Sequence, residues 1–178
     1  MLGSFVRRAL GRRWLVAVSG AVFAASQLAI AAILRPVSPE ILRFQCTALR
    51  ADDVRRTFAA WEASGALAAY RAHFALDRVH PLWYASFATA LLARLFERCG
   101  VPARWNAVLA LPALSAALDA VENRIQLGFL ADPAAIPDRL ALFSTAASLG
   151  KWALVLGYGA LAAALLAGWA PRGSRNPR

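Results

Sequence analysis

The chain has 178 residues, of which 60% are hydrophobic and 17% charged, with a mean hydropathy of +0.50. Soluble domains run nearer a quarter charged, so this composition argues against an ordinary water-soluble fold. The net charge of +10 does not point to nucleic acid, because the basic residues gather at the ends of apolar blocks.

In chain order, residues 14–34 are uncharged and, at about 1.5 Å per residue, long enough for a hydrocarbon core of about 30 Å. Arg7, Arg8, Arg12 and Arg13 precede them. A cleaved signal peptide ending near Ala29-Ile30-Ala31 is the competing reading, but the apolar stretch is long for one. Residues 37–77 read as an outer amphipathic segment. Ser38-Pro39-Glu40 offers a helix start, and Ile41, Leu42, Phe44, Gln45 and Leu49 give it an apolar face. Asp52 or Asp53 caps a second helix bearing Val54, Phe58 and Trp61, which Ser64-Gly65 ends. These two short helices are expected to lie flat at a membrane–water interface.

Further spans are expected at about 78–97, 105–130 and 140–169, followed by a basic tail at 171–178. In a four-span chain the arginines divide ten to eight in favour of inside N- and C-termini. The expected fold class is therefore all-α: one four-transmembrane-helix bundle with amphipathic helices in its first outer loop. Its expected partner is the lipid bilayer. Nineteen arginines against one lysine, with abundant alanine, suggest a GC-rich bacterial source and hence the bacterial cytoplasmic membrane.

Charges inside an apolar span are costly and should face inward and pair. Asp119, Glu122, Asn123 and Gln126 fall at i, i+3, i+4 and i+7, one helical face. Ser144, Ser148 and Lys151 form a matching face on the last span. Lys151, the only lysine, can lose its proton in a low dielectric or keep it beside a carboxylate. An ion pair that merely fixes helix register is the bland alternative.

His73, Asp77 and His80 stand at i, i+4 and i+7, residue types that suit zinc, but Pro81 disfavours a continuous helix through His80. Pairing of Asp77 with Arg78 or Arg124 is the simpler expectation, and no metal is assigned. Cys46 and Cys99 form no C-x-x-C pair, which disfavours a disulfide oxidoreductase. Phosphate-loop, G-x-S-x-G and H-E-x-x-H signatures are missing, and no cofactor is expected.

Leu76-Asp77 with Pro81 and Tyr84 makes an LD-x3-P-x2-Y pattern, and Leu118-Asp119 with Glu122 and Asn123 makes LD-x2-EN. Together they resemble a pattern of uncharacterised bacterial four-helix integral membrane proteins, over most of the chain from about Ile41 onward. That resemblance implies a fold and a shared polar cluster, not a reaction. The architecture is also similar to that of the sterol-isomerase and sigma-2-receptor superfamily, with no residue carried over.

The leading functional expectation is a polytopic membrane protein that binds a lipid-like or amphipathic ligand in an outer-half pocket. Lys151, Asp119 and Glu122 form its core, Asn123, Gln126 and Ser148 lie beside them, and Asp77, His80 and Tyr84 stand at its mouth. In an enzyme, Lys151 with Asp119 or Glu122 would do acid–base work. A proton-coupled transporter or channel subunit and a structural assembly subunit are the rivals, with a second copy of the chain as a further partner.

Overall fold

The computed structural model describes residues 2–38 and 40–169; the basic tail expected at 171–178 lies outside them. Among the described residues there are eight α-helices and no strand: α1 (Leu2–Leu10), α2 (Arg13–Ile33), α3 (Glu40–Thr47), α4 (Ala51–Ala63), α5 (Leu67–Asp77), α6 (His80–Arg98), α7 (Leu111–Ala131) and α8 (Asp138–Trp169). Two 3-10 segments, Arg35–Val37 and Ala103–Ala110, join α2 to α3 and α6 to α7.

The all-α expectation is met, but the four-span bundle is not. Two helices, α2 over Arg13–Ile33 and α8 over Asp138–Gly168, are long and apolar enough to cross a membrane. In each, 17% of the apolar window is buried within the chain. The segments expected at 78–97 and 105–130 fail that test for a physical reason. Helix α6 carries Arg94, Glu97 and Arg98, and α7 carries Asp119, Glu122 and Arg124. Residues 103–110, expected to open the third span, form a 3-10 segment instead. The expectations of a multi-pass cytoplasmic-membrane location, of the bilayer and a lipid-like ligand as partners, and of a second copy rested on four spans and fall with them.

The segment 37–77 is also corrected. It holds three helices rather than two, and they pack on one another instead of lying flat. Phe44, Phe58, Trp61, Tyr70 and Phe74 are all at most 4% exposed and join Phe129 and Leu130 of α7 in one core. Each such side chain contributes about 1.5–3 kcal/mol on burial. The rings of Trp61 and Tyr70 lie 4.9 Å apart, and those of Phe44 and Trp61 meet edge to face at 5.2 Å.

Local chemistry sets the helix ends here. Asp53 accepts from the Arg50 backbone N–H at 3.0 Å, and Asp138 at the start of α8 accepts from that of Ala51 at 2.8 Å. Two orphan donors at the start of α4 are thereby satisfied. Helix α4 ends at Ser64-Gly65 as expected: Gly65 adopts φ 73°, and Ala66 N–H returns to the Trp61 carbonyl at 2.7 Å. Trp61 Nε1 donates to Glu40 at 2.9 Å, and Thr145 of α8 donates to the Ala48 carbonyl at 2.8 Å. These bonds hold the aromatic unit against α8.

Helix α1, absent from the sequence reading, is clamped by Arg7. Its guanidinium donates to the Asn106 side chain and to the Val101 and Pro102 carbonyls, and stacks 5.1 Å from the Phe96 ring centroid. Gly11 permits the contact, since a Cβ there would lie 2.8 Å from the Arg94 backbone nitrogen.

Candidate acid–base site

Helices α7 and α8 pack side by side, and their polar stripes meet. Lys151 Nζ donates to Asp119 Oδ1 at 2.9 Å and to Glu122 Oε2 at 2.6 Å, with all three side chains at most 8% exposed. One turn along, Gln126 donates to Ser144 at 2.8 Å and accepts from the Tyr70 hydroxyl at 3.3 Å. The opposing stripes follow from helical period, and their pairing from the cost of leaving charge buried alone.

Two carboxyls face one ammonium. Burial lowers the affinity of Lys151 for its proton, but Glu122 and Asp119 together outweigh that and raise its pKa. Burial raises Glu122 in turn, against the pull of Lys151. The lysine is therefore a fixed cation, and the exchangeable proton belongs to the carboxyl side. Glu122 Oε1 and the Ser148 hydroxyl are both buried, and Ser148 adds to Lys151 in favouring the charged form of Glu122.

A cavity of about 640 Å³ opens against this cluster. Phe23 and Gln27 of α2, Gln45 of α3, His73 and Asp77 of α5, His80 and Tyr84 of α6, Asp119 of α7, and Lys151 and Tyr158 of α8 all reach its wall. Among the expected site residues, Asp77, His80, Tyr84, Asp119 and Lys151 line it. Glu122, Asn123, Gln126 and Ser148 do not and stand behind the wall. Asn123 instead donates to the Asp77 carbonyl at 3.1 Å and so ties α7 to the end of α5.

The two histidines have fixed tautomers. The Ser26 hydroxyl donates to the Phe23 carbonyl at 2.9 Å, so in its 2.8 Å contact with His80 the imidazole Nδ1–H is the donor. His73 Nδ1 meets the Tyr70 carbonyl, which can only accept. Each ring is left with an Nε2 lone pair. Burial lowers both pKa values, that of His73 to about 4, so both rings are neutral near pH 7.

Asp77 lies 3.8 Å from His73 Nε2, and this contact replaces the expected pairing with Arg78 or Arg124. Burial first, and the Asp119 charge second, raise its carboxyl to about 7, while Lys151 and Asn123 pull the other way. The proton of the pair thus rests on Asp77 rather than on His73. The break at Arg78–Val79 separates α5 from α6, so His80 does not continue the His73–Asp77 face. Among the described residues, no three His, Cys, Asp or Glu side chains group to hold a metal ion.

The Tyr84 hydroxyl is buried beside Ser115 and Asp119, and burial keeps it protonated. Ser115, missed in the sequence, lies 3.5 Å from the Tyr158 hydroxyl. Its signal was available, because it extends the Asp119 face by one turn at i−4. Gln45, read in the sequence only as part of a helical face, accepts from Trp152 Nε1 at 3.3 Å at the cavity wall.

No family model, no curated protein and no solved structure matches the chain. The resemblance to four-helix membrane proteins is accordingly not upheld, nor is the architectural analogy to the sterol-isomerase superfamily. The LD-x3-P-x2-Y residues are divided between the end of α5 and the start of α6. The chemistry of this site has to be argued from its own side chains.

Proposed function

We propose that the chain is an acid–base enzyme that moves a proton to or from a substrate held in the cavity. Asp77 is the exchanging acid, His80 Nε2 offers a second acceptor, and Lys151 between Asp119 and Glu122 is a fixed charge that shapes the site. What carries this reading is the placement of Asp77, a largely buried carboxyl whose surroundings raise it to about 7, on the same wall as that charge cluster. The residues of that wall include no Ser, Thr or Cys, and its phenols stay protonated. Proton transfer is what such a set can perform.

The test is deuterium incorporation. The purified chain is incubated in D2O with a panel of apolar ketones, alkenes and amines, and after back-exchange in H2O the carbon-bound deuterium of each compound is read by mass spectrometry. The proposal expects incorporation into at least one compound, reduced about a hundredfold or more by Asp77→Asn, within the range of general acid–base catalysis. Incorporation that persists undiminished in Asp77→Asn, or none in any compound, contradicts it.

A further inference from the structure

The charges around the cavity do not balance. Helix α8 supplies one ammonium, Lys151, and α7 answers it with two carboxyls, Asp119 and Glu122. Helix α5 adds Asp77, the facing histidines of α5 and α6 are neutral, and Tyr84 and Tyr158 are uncharged phenols. The residues contributed by α2 and α3 include no ionisable group. One acidic group is therefore in excess before Asp77 is counted. Glu122, 1% exposed, accepts from the ammonium at Oε2 and has the neutral Ser148 hydroxyl as its other neighbour, so no second positive charge answers it.

An excess carboxylate on a largely apolar cavity wall has two ways to be neutralised. It takes a proton, or a positive charge arrives. The remaining walls suit the second. Phe23, Tyr84, Phe87, Trp152 and Tyr158 present aromatic groups to the same space, and Lys151 Nζ already lies 5.5 Å from the Trp152 ring. Aromatic faces attract desolvated ammonium groups. An anionic substrate would meet the uncompensated carboxyls, and a neutral one would leave them to protons.

We propose that the substrate of this cavity is an organic monocation, an ammonium group on an apolar frame, seated against Asp77 and Asp119 and exchanged for a proton of the cluster. This rests on the acid–base reading above and names the substrate class it serves. No bond in the ligand changes on binding: the cation enters, and one carboxyl proton leaves to solvent.

The experiment uses two isosteric probes, phenyltrimethylammonium and tert-butylbenzene, titrated into the full chain by calorimetry in two buffers of different ionisation enthalpy. Near pH 8 the cation is expected to bind about tenfold or more tightly than its neutral isostere. Its affinity should level off above about pH 7 and fall by up to about a hundredfold towards pH 5, with up to one proton released per cation bound in that range, while the neutral probe stays pH-independent. Asp77→Asn, which mimics the protonated carboxyl and leaves the α7–α8 cluster intact, should flatten the pH dependence without changing the neutral probe. Equal affinity for the two probes, or cation binding without proton release, overturns the proposal. If the probes bind equally while Asp77 still titrates near 7, the substrate class is wrong and the acid–base reading stands. If Asp77 does not titrate there but the cation is preferred, the reverse holds.

Discussion

Asp77 and His73 have opposite effects on stability over the same pH window. The folded carboxyl at about 7, against a usual 3.8, holds its proton more tightly than the unfolded chain does. Its contribution is full below about pH 4 and is lost as pH rises through about 7. His73, at about 4 against 6.5, does the reverse: its contribution is present above about 6.5 and is lost as pH falls towards 4. In the native chain these slopes oppose one another. Asp77→Asn removes the first, so its urea midpoint should climb between about pH 4 and 6.5. Near pH 8 the variant should be more stable than the native chain by on the order of 2–4 kcal/mol. Parallel pH profiles for the two proteins would sink this account of the pair.

Between helices, the test is charge balance along α7 and α8. Lys151→Met leaves two buried carboxyls without their cation and should cost about 3–5 kcal/mol by denaturant unfolding. Adding Asp119→Asn and Glu122→Gln should return most of it, because a neutral cluster has no charge to strand. If the triple variant is as unstable as the single one, the loss comes from packing rather than charge. This seam was legible in the sequence because helical period alone aligns residues 119, 122 and 126 against 144, 148 and 151. The α1 clamp was not. Arg7 looks like any of its neighbouring arginines until the Val101 and Pro102 carbonyls are seen to face it. Gly11→Ala, which forces a Cβ against the Arg94 backbone, should cost about 1–3 kcal/mol. Hydrogen exchange in α1 should rise with it, and unchanged protection there would show that the contact does not hold the helix.

At the scale of the whole chain, hydropathy misled where it averaged. Long apolar windows at 78–97 and 105–130 gave expected spans, but Asp119 and Glu122 sit on a face that packs against α8, while Arg78, Glu97 and Arg124 are exposed. The aromatic unit was half legible: the spacing of Val54, Phe58 and Trp61 gave a helix. Nothing in that spacing said that Phe44 and Tyr70 would close over it. The cavity was legible in part, since Asp77, His80, Tyr84, Asp119 and Lys151 were expected around one pocket, but its shape forms only where α2, α3, α5, α6, α7 and α8 converge. That convergence brings separate polar residues to one wall, and Asp77 is the group on which the proposed chemistry depends. Carbon-13 NMR of aspartate-labelled folded chain, with Asp77→Asn identifying the signal, measures it directly. A carboxyl titrating near 7 and missing from the variant is the expected result; one titrating near 4, as in a free side chain, would contradict the account.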